Sequence, residues 1–238
     1  MEGAHEAGDA VKFSPDDARK LVVVLRKQSG DLVEVVDSTG TAFRAVLNVD
    51  PRGPSAQLLE SIPLPVVEPG VAVTVAQAIP KGSKMDFVVE KLTELGVVSV
   101  IPFYSERSAV AQVGKAKMER WGRIARSAAQ QSGRRDIPTI SVPLHWKALV
   151  DHFSRYDATL LPWELAPPIP MSEQLPQMLQ NISTLLIVIG PEGGFSHLEV
   201  SQAQERGARV ISLGVRILRT ETAALAVCSV VNYLTGTW

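Results

Sequence analysis

A chain of 238 residues, 45% apolar and 21% charged, has enough material to bury a core in one large domain or two modest ones, which excludes a disordered or fibrous protein. The single cysteine, Cys228, excludes an internal disulfide framework, and the scattered His5, His145, His152 and His197 make no metal-ligand pattern, so no metal is expected. The net charge of −1 argues against a uniformly basic nucleic-acid binder; with no signal-peptide pattern and no apolar run near the ~20 residues of a membrane span, a cytoplasmic protein without membrane contact is expected.

Residues before about Lys12 read as a polar, flexible lead. Ser14, Pro15 and Asp17 form a helix start, with a capping serine, proline at the first position and acid in the first turn, and the helix is expected to run to about Lys27. Two β-branched runs follow, residues 32–36 and 42–49, with Asp37-Ser38-Thr39-Gly40 between them as a hairpin signal. Another apolar piece precedes Pro63, and the proline-rich stretch 61–70 reads as a domain boundary. Residues 1–72 are therefore expected to form a small β-rich domain.

From residue 73 to 238 strands and helices alternate, the pattern of an α/β domain with a mainly parallel sheet. A strand over 71–79 precedes a helix over 84–95, whose inward side is expected to carry Phe87, Val88, Leu92 and Leu95. After a strand at 97–103, a long helix from Lys115 to Ser132 closes at Gly133, with Met118, Trp121, Ile124, Ala125 and Ala128 facing inward. Between Lys115 and Arg135, seven cations (Lys115, Lys117, Arg120, Arg123, Arg126, Arg134 and Arg135) face only Glu119 and leave +6, a local field able to hold phosphate in a near-neutral chain. The remaining expected elements are strands at 158–161, 185–189 and 209–213 and helices at 197–207 and 221–234.

Three of these strands end in breakers: Leu161-Pro162, Ile189-Gly190-Pro191 and Leu213-Gly214. Ligands of open α/β sheets lie outside the carboxyl ends of the strands, so these ends are the expected pocket walls. The middle one continues Glu192-Gly193-Gly194-Phe195-Ser196, and Ser196 with Glu199 has capping-box spacing. The loop lacks the Gly-Lys-Ser/Thr ending of a phosphate loop, and Glu192 would repel phosphate, so a cationic or neutral ligand fits better.

Three segments carry a family resemblance. They are Gln77-Ala78-Ile79-Pro80-Lys81-Gly82-Ser83-Lys84-Met85-Asp86 with Glu94-Leu95-Gly96, then Phe103-Tyr104-Ser105-Glu106-Arg107-Ser108, and finally residues 189–196 with 213–224 (LGVRILRTETAA). Together they resemble the RsmE family, bacterial methyltransferases that use S-adenosylmethionine to methylate N3 of a uridine in the decoding region of 16S rRNA. Gln130-Gln131-Ser132-Gly133-Arg134 is also similar to the family's sequence. The resemblance implies a SPOUT-type α/β domain whose C-terminal part is tied in a trefoil knot, working as a homodimer, and a PUA-like RNA-binding barrel at the N-terminus.

The resemblance also implies a cofactor site of Leu161, Pro162, Ile189, Gly190, Pro191, Glu192, Gly193, Leu213, Gly214, Ile217, Leu218 and Ala223, with Ile217 and Leu218 sandwiching the adenine. Uridine N3 carries a proton and is a poor nucleophile until it leaves; a carboxylate could take it, or an arginine could stabilise the anion. Arg219 and Glu221, beside the cofactor segment, are the expected catalytic pair. Arg107, Arg120, Arg123, Arg126, Arg134 and Arg135 are expected on RNA, which the resemblance implies is 16S rRNA in the small ribosomal subunit, and the role of Glu192 is left open between cofactor contact and loop shape. A SPOUT enzyme for another RNA position and a non-catalytic RNA binder are the rivals, the second separable by whether S-adenosylmethionine binds at all.

Overall fold

The structure, a computed structural model, describes residues 3–51, 53–63, 70–109 and 112–236. The chain divides into two compact units, residues 1–67 and 68–238. Most of the expected proline-rich boundary, residues 64–69, lies outside the described residues.

The first unit holds β1 (Ala10–Lys12), α1 (Pro15–Arg19), β2 (Leu32–Val36), β3 (Ala42–Asp50) and β4 (Gly53–Ile62), its strands forming one antiparallel sheet in the order β1-β4-β3-β2. Alternate residues turn inward, as a half-buried strand requires, and Val11, Val33, Val35, Phe43, Ala45, Leu47, Ala56 and Leu58 make the core. The hairpin between β2 and β3 is closed by Asp37, whose carboxylate accepts from Thr39 N, Thr39 Oγ1, Thr41 N and His5 N. Burial works to raise the Asp37 pKa, but these donors to the charged form outweigh it and lower it.

Two expectations fail in this unit. The lead is not loose as described: Ala10–Lys12 pairs with β4, and Gly8 N donates to Leu58 O at 2.9 Å. Single alternating residues among polar ones carry too little hydrophobic signal to mark so short a strand. The first helix is also shorter. Ser14 caps it as expected, but it relaxes to a π-turn over Lys20–Val24, and Arg26 adopts φ +52. The run Val22-Val23-Val24 explains the early end, because β-branched side chains crowd the preceding helical turn.

The second unit contains β5 (Ala72–Ala78), α2 (Lys84–Glu94), β6 (Ser99–Tyr104), α3 (Lys115–Ser132), β7 (Thr139–Ile140), β8 (Leu144–His145), α4 (Trp146–Asp151), β9 (Ala158–Pro162), α5 (Met171–Met178), β10 (Thr184–Ile189), α6 (His197–Glu205), β11 (Arg209–Ile211) and α7 (Thr220–Thr235). All strand pairs here are parallel, in the order β11-β9-β10-β5-β6-β7, with β8 beside β6. Helices α2, α3, α5 and α7 cover one face around Trp121, Met85, Leu175 and Val227; α4 and α6 cover the other around Phe103, Phe153 and Phe195. The near-continuous apolar run of β10 follows from this, since a strand covered on both faces has no polar side to show.

The expected phase of α2 was wrong at one position. Met85, Val88, Val89 and Leu92 form the inward stripe, and Phe87, about 200° around from Met85, is 45% exposed. The expected α3 matches from Lys115 to Ser132, with Gly133 at φ +74 ending it, a conformation in which a Cβ is strained. Arg134 just beyond is half-buried and donates to the carbonyls of Thr93 (2.6 Å) and Val97 (3.0 Å) while pairing with Asp136, so it fastens α3 to the end of α2. Arg134→Met is expected to lower stability by about 2–3 kcal/mol, read from a denaturant melt, because two buried carbonyls lose charged donors.

Candidate active site

Parallel pairing brings the carboxyl ends of β11, β9, β10, β5 and β6 to one edge of the sheet: Ile211 lies opposite Pro162, Ile189 opposite Gln77, and Ala78 opposite Phe103. From β5 the chain moves through α2 to β6 on one side. From β10 it moves through α6 to β11 on the other, so the topological switch falls between β5 and β10. The loop of residues 190–196 leaves β10 at that point, where open α/β sheets bind ligands.

Three pieces of the chain hold this loop. From beneath, the buried Gln77 donates through Nε2 to Thr220 Oγ1 at 2.8 Å, and Thr220 Oγ1 donates to the Gly190 carbonyl at 2.5 Å. On one flank Glu192 accepts from Lys81 N (3.2 Å) and Lys84 Nζ (3.0 Å). On the other, Arg107 Nη1 donates to Gly193 O at 3.0 Å and Ser196 Oγ donates to Glu106 at 2.7 Å. Behind it, the buried Glu199 carboxylate accepts from Ser105 Oγ, Glu106 N and Ser196 N, and Ser196 Oγ accepts from Glu199 N, completing the expected capping box.

The glycines of this loop answer to close neighbours. A Cβ on Gly190 would lie 3.0–3.3 Å from the buried Phe195 ring. Gly194 has φ +66, and the Glu164 carboxylate fills the space its Cβ would need. At both positions the backbone has no side chain because a neighbour occupies its place.

The expected cofactor residues are placed as follows. Leu161, Ile189 and Pro191 are buried; Pro162, Gly190, Leu213, Leu218 and Ala223 are half-buried; Glu192, Gly193 and Gly214 are exposed. Ile217 is 86% exposed, so only Leu218 of the expected sandwich is packed against protein. Arg219 caps α7 from an exposed position. Glu221 lies in the first turn of α7 with its side chain 14% exposed; its Oε2 is buried, without a hydrogen-bond partner among the described residues, and 3.8 Å from Lys84 Nζ.

The expected RNA arginines do not form one set. Arg120 bonds Asp86 at 2.9 Å while remaining 60% exposed, and Arg123 and Arg126 are exposed on α3. Arg107 serves the glycine loop, Arg134 serves the fold, and Arg135 is half-buried. Sequence reasoning missed Gln77, Lys84, Glu106 and Thr220 as site residues, although all four stand inside the motifs that carried the resemblance.

The donor set suits a cationic ligand rich in hydrogen-bonding atoms. It combines bare loop backbone with the carboxylates of Glu192 and Glu221, and the buried Trp163 Nε1 and Gln77 Oε1 have no partner among the described residues. No group of three or more potential metal ligands occurs among the described residues.

The hydrogen bond to Glu192 raises the Lys84 pKa above its usual 10.5. Burial works to raise the Glu192 pKa, but the donors from Lys84 and Lys81 lower it below 4.5. The lowered carboxyl contributes fully above 4.5 and fails as pH falls through its folded value; the raised ammonium contributes fully below 10.5 and fails as pH climbs through its own. Amide-exchange protection of Gly194, whose N–H bonds Pro191 O within the loop, is thus expected to stay constant between about pH 5 and 10. Thr220→Val, which keeps the shape and deletes the hydroxyl, is expected to destabilise by about 1–3 kcal/mol in a denaturant melt, because the Gly190 carbonyl loses its donor and the Gln77 amide keeps only its bond to Ala78 O.

The model of an RNA methyltransferase domain matches residues 67–232. The chain is 30% identical over 236 residues to ribosomal RNA small subunit methyltransferase E of Bacillus subtilis, covering 97% of this chain and 92% of that one. It is 35% identical over 217 residues to the protein of that name from Synechocystis, covering 89% and 69%. Among solved structures, one described as ribosomal RNA small subunit methyltransferase E from Neisseria gonorrhoeae bound to S-adenosyl methionine superposes with TM-score 0.84 at 29% identity, covering 98% and 95%. A methyltransferase from Legionella pneumophila, described as putative and solved with the cofactor SAM, superposes with TM-score 0.87 at 28% identity over the same shares. The chain belongs to the RNA methyltransferase family that includes ribosomal RNA small subunit methyltransferase E.

Proposed function

We propose that this chain transfers a methyl group from S-adenosylmethionine to N3 of a uridine in the decoding region of bacterial 16S rRNA. The observation that carries the reading is the buried Glu221 Oε2, which accepts no hydrogen bond among the described residues, on the helix whose Thr220 supports the loop of residues 190–194 at the switch point of a parallel sheet. The cofactor cleft is formed by the ends of β9, β10 and β11 with the segment 213–218. When bound, S-adenosylmethionine supplies an electrophilic methyl on a sulfonium, which the carboxylates of Glu192 and Glu221 favour electrostatically.

Glu221 takes the N3 proton and Arg219 stabilises the charge that then spreads onto the flanking carbonyls of the base. N3 lies on the pairing edge, so the base has to be unpaired or flipped out before it reaches this cleft. Arg120, Arg123, Arg126 and Arg135 hold the RNA backbone in that state, with Arg107 nearest the loop. Arg134 is left out of this set because its guanidinium donates inward.

Residues 1–72 act as a PUA-like RNA-binding barrel, a role supported by the four-stranded antiparallel sheet, and residues 73–238 as the SPOUT domain. A trefoil knot is supported by the return of the chain from β11 at the sheet edge to α7, whose Thr220 reaches under the Gly190 loop and whose body packs on β5, β10 and α2. Homodimer formation is supported by apolar residues left on α7, Tyr233 at 76% exposure and Leu234 at 37%. A cytoplasmic location follows from the substrate; no described helix is long and apolar enough to cross a membrane.

Primer extension on small-subunit rRNA from a deletion strain is expected to lose the N3-methyluridine stop, and its persistence would refute the substrate. Arg219→Ala is expected to abolish methylation while S-adenosylmethionine affinity, measured by calorimetry, stays within about tenfold. Full activity in that variant would remove Arg219 from the mechanism.

A further inference from the structure

Lys84 occupies a place that helix stability does not explain. It is the first residue of α2, where the positive end of the helix dipole disfavours a cation. What surrounds its ammonium group does explain it: Glu192 Oε1 lies at 3.0 Å and Glu221 Oε2 at 3.8 Å, one carboxylate from the glycine loop and one from α7. The two contacts differ in kind. Glu192 receives a hydrogen bond and is fixed a second time by Lys81 N, so it anchors the lysine independently of Glu221. Glu221 stands within ion-pair range but beyond hydrogen-bond reach.

That difference matters for a proton acceptor. A carboxylate oxygen already bonded to an ammonium has a lone pair engaged, whereas one facing the same charge at 3.8 Å keeps it available. Glu221 Oε2 is buried and accepts no hydrogen bond among the described residues, a state that is costly for a carboxylate without a nearby countercharge. We infer that Lys84 is a positioning residue for methyl transfer: anchored by Glu192, its ammonium holds the Glu221 carboxylate in place without engaging the Oε2 lone pairs that are to take the N3 proton. The role rests on the assignment of Glu221 as proton acceptor. In the step it serves, the N3–H bond breaks and the proton goes to Glu221 Oε2. The electron pair left on N3 forms the bond to the methyl carbon, as the carbon–sulfur bond breaks and its pair stays on sulfur.

Chemical rescue tests the role. Lys84→Cys removes the ammonium, and treating the folded variant with 2-bromoethylamine rebuilds an ammonium on a side chain of lysine's length. Cys228, the only native cysteine, is buried and its thiol is pushed up to about 12 by burial, so alkylation is confined to the introduced thiol. Lys84→Cys is expected to lower kcat about 30-fold or more, a larger factor than the loss of S-adenosylmethionine affinity that freeing Glu192 brings, and aminoethylation to recover most of both losses.

Three results overturn the role: kcat within about threefold of the parent, loss that aminoethylation does not recover, or cofactor affinity falling in step with kcat. Lys84→Gln, closer to lysine in volume, gives the same reading of kcat against affinity should the cysteine variant fold poorly. Glu221→Gln separates the two levels. Full activity in Glu221→Gln refutes the acceptor assignment itself; an inactive Glu221→Gln beside a fully active Lys84→Cys refutes the role of Lys84 alone.

Discussion

A loop that offers its backbone to a ligand cannot also use that backbone to hold its own shape. Between Gly190 and Gly194 the one internal backbone bond runs from Gly194 N to Pro191 O at 3.0 Å. Apart from the Lys81 N–H on Glu192, what else fixes the loop comes from side chains elsewhere: Thr220 on the Gly190 carbonyl, Lys84 on Glu192, Arg107 on the Gly193 carbonyl, and Glu106 with Glu199 on Ser196. The fold around the cleft can be understood as what it takes to bring those five side chains to one place. The parallel sheet does most of it, because parallel strands deliver their carboxyl ends to a common edge.

The same constraint sorts the charges. Carboxylates near a phosphate site would be a liability, yet here Glu192, Glu221, Glu106 and Glu199 all gather within or beside the loop, each with donors or a countercharge in reach. Such a field welcomes a sulfonium and turns away a polyphosphate. The basic residues are set apart on α3, where Arg123 and Arg126 face solvent and Arg120 is steadied by Asp86. The carboxylates around the loop and the exposed cations of α3 thus stand on separate elements.

Much of this was legible in the residues. The apolar run of β10, the serine–glutamate cap of α6 and the glycine that ends α3 are local signals, written within a few positions of the feature they cause. Elements too short to show a period were missed: β1 has three residues, β7 and β8 two each, and α4 six. Phe87 departs from its expected inward place because it follows Met85 by two positions, about 200° around the helix, while Met85 faces the core. The site was legible as a set of strand ends but not as a network. No spacing rule links Gln77 to Thr220 or Lys84 to Glu192, since those pairs are joined only by the sheet order. Arg134 shows what charge spacing alone does not carry: its guanidinium donates to two carbonyls of the fold.

The distances along the chain between the loop and its holders have a consequence for how the protein is made. Gln77 reaches Thr220 across 143 positions, Lys84 reaches Glu192 across 108, and Glu106 reaches Ser196 across 90. During synthesis the first unit and the strands β5 and β6 emerge long before α7, and domains fold from the N-terminus as they appear. The hydroxyl that supports the Gly190 carbonyl leaves the ribosome after every other group that holds the loop. A growing chain therefore carries this loop without its support from beneath until translation has passed residue 220.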